Sequence, residues 1–263
     1  MLLRSHTSAS RSDKLALIEK VKDMKVFISA VCYVLVLLVS ASVAADDKKI
    51  QNALAKVLPD LPVKSITKSE LAGVYEVTTE AGESLFFSED GQFFIAGDLY
   101  TLKDSKIRNL SEVKREQDRV VKVNAIPDDQ KIVFPAQGET KGKIAIFTDI
   151  DCGYCRKLHK EVPALNKMGV EVSYLAYPRA GVNSESYNKY VSAFCAEDKL
   201  DALTKAKNGQ AIAPKVCANH VTEQFNLGRE IGISGTPAII LDSGTLIPGY
   251  VSADKIGKAL GIM

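Results

Sequence analysis

The chain has 263 residues, 46% of them hydrophobic and 25% charged, with 34 Lys and Arg against 32 Asp and Glu. At roughly 100–200 residues per domain, this length favours one or two compact domains and argues against a miniprotein held by disulfides alone. A formal charge of +2 is too small for a nucleic-acid-binding surface, and no basic block interleaved with aromatics occurs. Five cysteines are present, an odd number that does not close a disulfide framework.

The one long apolar run, Val26 to Val43, follows Lys20, Lys22 and Lys25 and ends in the small residues Ser40-Ala41-Ser42-Val43-Ala44. Positive, apolar and small-residue regions in that order form a secretory signal, with Ser42 and Ala44 placed for a cut before Ala45. The run of about 18 residues also reaches the lower limit for a membrane span, so an uncleaved anchor is the alternative. Met24-Lys25 reads as the natural start of the signal, which leaves residues 1–23 upstream of it. Without residues 1–44, six basic and three acidic residues go, leaving 28 basic against 29 acidic. Cys32 goes too, and four cysteines enter an oxidising compartment.

In the mature chain, Ile50, Ala53, Leu54, Val57 and Leu58 recur on one helical face, and Pro59 ends the pattern. Short β-type runs follow at Val63–Ile66, Val74–Thr78, Leu85–Ser88 and Phe93–Ala96, with Asp90-Gly91 as a hairpin signal. This α+β unit of about 60 residues has a marginal core by itself, so pairing with a second copy is physically sensible. Residues 109–123 are charge-rich with sparse apolar positions, and read as a mostly polar helix bridging two domains. A surface helix packed on one domain is the alternative. Pro127-Asp128-Asp129 marks the start of the second domain.

That domain alternates. Lys143–Ile150 reads as a strand, residues 153–166 as a helix and Val170–Ala176 as a second strand, together a βαβ unit. A helical region of about 50 residues follows, with apolar spacing around Tyr187–Phe194, Leu200–Ala206 and Val221–Leu227. Strands Ala238–Leu241 and Thr245–Pro248 and a final helix Ala253–Leu260 close the chain.

The chemistry concentrates in Cys152-Gly153-Tyr154-Cys155, a C-x-x-C at the junction of a strand and a helix. A sulfur at a helix N-terminus faces unpaired backbone N–H groups, which favour the thiolate, the nucleophile of disulfide exchange. Cys152 is therefore the candidate attacking sulfur and Cys155 the resolving one. A zinc site is disfavoured because Cys195 and Cys217 do not form a second C-x-x-C, and Arg156 stands where haem attachment needs His. His159 reads as a surface residue of the helix, with tuning of the thiols as the alternative. Pro163 reads as a kink. Cys195 and Cys217 read as a bridge closing about 20 residues, worth roughly 3 kcal/mol in the chain-entropy model, or as a second catalytic pair. At Thr236-Pro237 the residues alone favour an ordinary trans bond.

Four blocks in order carry a resemblance: Phe147 to Cys155 with Lys157-Leu158-His159, Tyr174 to Arg179, Gly232 to Ala238, and Gly244 to Tyr250. Over residues 46–263 the chain resembles the DsbC/DsbG family of bacterial disulfide isomerases. The resemblance implies an α+β / α/β architecture: a cystatin-like N-terminal dimerisation domain, a linker helix, and a C-terminal thioredoxin-fold domain with a helical insertion. The corresponding boundaries are 1–44 for the signal peptide, 45–107, 108–128 and 129–263. It also implies a catalytic dithiol at Cys152 and Cys155 within a motif completed by Gly153 and Tyr154. Thr236 and a cis Pro237 would form the substrate-binding loop, and Cys195–Cys217 a structural disulfide, with no metal and no cofactor beyond the dithiol itself. The implied activity is isomerisation or reduction of non-native disulfides in misfolded exported proteins. It belongs to a periplasmic homodimer with chaperone activity, kept reduced by an inner-membrane partner of the DsbD type. A thiol oxidant and a mainly non-enzymatic holdase are the alternatives. Asp151 departs from the pattern, and a carboxylate beside Cys152 is expected to oppose thiolate formation. Terminal sequencing of the exported protein should begin at Ala45; a product retaining the apolar run would show an anchor instead.

Overall fold

The structure is a computed structural model and describes residues 47–80 and 82–263. The expected signal peptide, with Cys32, lies outside the described residues. The chain divides into two compact units, one containing residues 47–61, 66–76 and 86–95 and the other residues 62–65, 77–85 and 96–263.

In the first part of the chain, helix α1 covers residues 47–57 and buries Ile50 and Leu54. Val57 and Leu58, placed on the same apolar face by their spacing, are exposed instead. Strands β1 (Val63–Lys68), β2 (Val74–Thr79), β3 (Ser84–Ser88) and β4 (Phe94–Ala96) form a sheet in that order. The turn between the last two is held by Asp90, whose carboxylate accepts from Ser88 Oγ at 2.5 Å and from the Gln92 N–H at 3.0 Å. A second hairpin, β5 (Tyr100–Thr101) with β6 (Arg108–Asn109), leads directly into helix α2, Leu110–Asn124. Asn109 caps that helix by accepting the Glu112 N–H at 2.9 Å.

Helix α2 is tied down by a buried arginine. Arg119 is 4% exposed and donates to the carbonyls of Ile231 and Gly244, with Glu112 Oε1 2.7 Å from its guanidinium. A buried cation is tolerable only when paired and hydrogen-bonded in this way. Gly244 permits the approach, since a Cβ there would stand 2.1 Å from the Glu116 carbonyl oxygen. The polar composition of α2 thus serves internal ion pairing, and Val123 joins an apolar cluster with Phe147, Leu175 and Ile240.

The second sheet has strands β7 (Ile132–Phe134), β8 (Gly142–Thr148), β9 (Val170–Ala176), β10 (Ala238–Leu241) and β11 (Leu246–Pro248) in the order β11-β10-β8-β9-β7. β8 and β9 are parallel and the other pairs antiparallel. Both faces are covered, so the strand run Ile144-Ala145-Ile146-Phe147 is apolar throughout. Ile144 and Ile146 join a cluster with Leu158, Leu165, Tyr190 and Leu203, and Ala145 and Phe147 join the opposite one.

The expected helix over residues 153–166 is two helices, α3 (Gly153–His159) and α4 (Val162–Lys167). Pro163 explains the break: it has no N–H for the His159 carbonyl and its ring would clash there, but it fits the first turn of a new helix. α5 (Glu185–Phe194), α6 (Lys199–Lys207), α7 (Val221–Glu230) and α8 (Ala253–Ala259) complete the domain. Cys195, at the end of α5, is bonded to Cys217, with Cα atoms 5.7 Å apart.

Gly228 in α7 has no room for a methyl group: its Cβ would lie 2.5 Å from the Tyr177 ring and 3.1 Å from that of Phe147. Alanine normally gains about 1 kcal/mol over glycine inside a helix, whereas overpacking costs about 1–3 kcal/mol. Because the Tyr177 ring is buried and its hydroxyl is tied to the Ile233 carbonyl at 2.7 Å, the clash should win. Gly228→Ala should lower stability by about 1–2 kcal/mol, read from the urea midpoint.

Candidate active site

β8 ends at Thr148, and the turn Asp149-Ile150-Asp151 delivers Cys152 as the N-cap of α3. The turn is fixed by the buried Asp149 carboxylate. Its Oδ1 accepts the Asp151 N–H at 2.8 Å, and its Oδ2 accepts the Arg179 backbone N–H at 2.9 Å and Nε at 3.3 Å. Cys152 and Cys155 are both free thiols and both buried, while Tyr154 between them is 66% exposed.

Cys152 Sγ accepts the Cys155 N–H at 3.4 Å and donates to the Thr236 carbonyl at 3.4 Å. Burial works to raise its pKa, but the Cys155 N–H and thiol, Thr236 and the Arg179 charge together hold it below the ordinary thiol value. Cys155 goes the other way. Burial dominates and pushes its thiol up, against the opposing influence of Lys207, the Asp149 N–H and the hydroxyls of Thr148 and Thr236. The pair is thus asymmetric, with the more acidic sulfur at the helix end.

The Thr236–Pro237 peptide is cis and sets the Thr236 carbonyl against Cys152, while the Pro237 carbonyl is tied to the Gly249 N–H at 2.8 Å. The Thr236 hydroxyl is buried and acts on both sulfurs, whose thiolates it favours. Gly153 is exposed beside Tyr154. The bonded Cys195 and Cys217 stand apart from this group, although α5, which leads into Cys195, also sends Lys189 to the site.

Asp151, expected from its sequence position to oppose thiolate formation, is itself ion-paired. Its carboxylate is bound by Arg156 Nη2 at 3.0 Å and Lys189 Nζ at 3.1 Å, so its charge is shared between two cations. His159 requires a correction. It is buried on the inward face of α3 with Cys155 and Leu158, its Nδ1 3.0 Å from the Tyr174 hydroxyl and its Nε2 3.1 Å from Thr204 Oγ1. Burial and the charge of Lys207 depress it to about 4, leaving it neutral at ordinary pH.

Sequence reasoning missed Lys207, which is 1% exposed beneath the site. Its place one helical turn after the buried Leu203 is the signal that could have found it. Arg179, in a motif quoted only for resemblance, supplies positive charge near Cys152. Replacing Arg179 by Ala should move the Cys152 thiolate titration to higher pH. The check is ultraviolet thiolate absorbance against pH, with slower alkylation at mildly acidic pH.

Residues 127–262 match the family described as a thioredoxin-like domain, and residues 41–112 that described as the disulfide bond isomerase protein N-terminal domain. The thiol:disulfide interchange protein DsbC of Escherichia coli strain K12 is 36% identical over 206 residues, which cover 78% of this chain and 84% of that one. The protein of the same name from Dickeya dadantii is 36% identical over 217 residues, covering 82% and 87%. That from Haemophilus influenzae is 32% identical over 237 residues, covering 90% and 97%. Among solved structures, a disulfide interchange protein from Neisseria gonorrhoeae aligns with a TM-score of 0.47 at 26% identity, covering 52% of this chain and 96% of that one. With relatives of this identity over most of its length, the chain belongs to the DsbC family of thiol:disulfide interchange proteins.

Proposed function

We propose that the chain is a periplasmic disulfide isomerase and reductase acting on misfolded exported proteins, with Cys152 as nucleophile and Cys155 as resolving thiol. The observation that carries this reading is the opposite displacement of the two sulfurs by their surroundings, beside a cis-proline loop. The Cys152 thiolate attacks one sulfur of a substrate disulfide, the substrate S–S bond breaks, and its other sulfur leaves as thiolate. From the resulting mixed disulfide two exits are open. A second substrate thiolate can attack the substrate sulfur, restoring Cys152 and leaving a rearranged disulfide. Alternatively Cys155 attacks Cys152, releasing substrate thiol and closing an internal disulfide, which a DsbD-type inner-membrane reductant must reopen. Gly153 and Tyr154 present the dithiol, and the backbone before Pro237 offers an extended substrate segment a strand-like partner. Cys195–Cys217 serves as the structural disulfide.

In this reading residues 1–44 are the export signal, residues 45–107 pair two copies, residues 108–128 link the domains, and residues 129–263 carry the chemistry. The homodimer would also shield unfolded chains as a chaperone. No cofactor or metal takes part, since the dithiol carries the electrons. Cys152→Ala should abolish recovery of activity from scrambled ribonuclease, whereas Cys155→Ala should retain part of it. Full recovery with Cys152→Ala would overturn the assignment.

A further inference from the structure

Lys207 is unused by the exchange steps above. It ends α6 in the interior, and its Nζ donates to Thr148 Oγ1 and to the Asp149 carbonyl at 3.0 Å, with the Tyr174 ring centroid at 5.7 Å. These acceptors are neutral oxygens, and burying an ammonium against neutral oxygens is costly. An apolar side chain would avoid that cost. The Thr148 hydroxyl, itself fully buried and bonded to this amine, also acts on Cys155, whose thiolate it favours. Amine, hydroxyl and thiol therefore form a short series leading from the core to the resolving sulfur, away from solvent.

We propose that Lys207 takes up, through the Thr148 hydroxyl, the proton that Cys155 loses in the resolving step, and returns it when the dithiol is regenerated. This rests on the reading of Cys155 as the resolving thiol. The Cys155 proton passes to Thr148 Oγ while the Thr148 proton passes to the Lys207 amine, leaving hydroxyl, ammonium and thiolate. The Cys155 thiolate then forms its bond to Cys152 Sγ, the bond from Cys152 to the substrate sulfur breaks, and the electron pair leaves on that sulfur. The substrate sulfur is reduced, the two cysteines are oxidised, and no other reactant is needed. Lys207 is a positioning residue here, acting on the sulfur through Thr148.

The surroundings suit an amine that changes charge. Facing Lys207 are Cys152, Cys155, Arg156 and His159 from the end and body of α3, Asp149 from the preceding turn and Tyr174 from β9. Burial is the largest influence and brings Lys207 down to about 8, so the neutral amine becomes the main form above that pH. Cys155 is displaced upward while Lys207 is displaced downward, so transfer from thiol to amine runs uphill, is drawn forward by the bond the thiolate then forms to Cys152, and reverses readily when the dithiol is regenerated.

Single-turnover reduction of a fluorescent cystine peptide by the full-length reduced chain separates capture by Cys152 from release by Cys155. In the wild type the release rate should climb with pH and level off near 8, following Lys207. Lys207→Met should slow release about tenfold or more, a modest share of the effect usual for proton transfer, and move the levelling to higher pH. Its capture rate should change far less than its release rate. Thr148→Val keeps the amine but breaks the series and should do the same, while Lys207→Arg, a fixed charge that cannot accept a proton, should fail to rescue. Wild-type release profiles in Lys207→Met or Thr148→Val, rescue by Arg, or equal slowing of capture and release would each overturn the relay. A wild-type chain with no capture phase would overturn the exchange reading and the relay with it.

Discussion

β8 and β9 run parallel in register from Gly142 beside Val170 to Thr148 beside Ala176, so the two strands stop at the same edge of the sheet. The chain leaves that edge twice, through Asp149 to Cys152 and through Tyr177 to Arg179. Because the exits are neighbours, one buried carboxylate, Asp149, can hold both. The antiparallel β10 enters at the same edge, with Ala238 opposite Phe147, and brings the cis Thr236–Pro237 bond to the sulfurs. Loops outside the carboxyl ends of parallel strands are where open α/β sheets assemble ligand sites. Here two strand pairings that share β8 bring together groups that are up to 84 residues apart in the chain.

Two sulfurs separated by two residues are thereby given different chemistry. Each is buried, and burial raises a thiol pKa in both cases. The difference lies in the donors. At the end of α3, Cys152 has a backbone N–H and the nearby Arg179 charge, and these outweigh desolvation. One turn inward, Cys155 has Lys207 and hydroxyls behind it, and desolvation prevails. Asp151, next to Cys152 in the chain, is paired with cations from α3 and α5.

What the sequence made legible follows the strength of the local pattern. β9 and β10 have the limits expected from their apolar runs, because strands buried on both faces carry an uninterrupted signal. β5, β6 and β7 are strands of two or three residues, too short for any periodicity, and went unread. The C-x-x-C was visible from spacing alone, but the ion pair of Asp151 with Lys189 joins residues 38 apart and could not be. His159 was misassigned although its four-residue spacing from Cys155 already placed both on one face of a helix. Lys207 was hidden differently: a charged residue on an apolar stripe is ordinarily read as the stripe's edge.

The bare Cα of Gly228 lets the Tyr177 ring lie against α7, and the ring's hydroxyl in turn holds the Ile233 carbonyl, three residues before Thr236. The placement of the loop facing Cys152 is thus gauged from a helix that contributes no atom to the reacting pair. A single absent methyl group acts as a shim in the alignment of the sulfur with its carbonyl neighbour. The working clearance of the site is set partly by what a distant residue lacks.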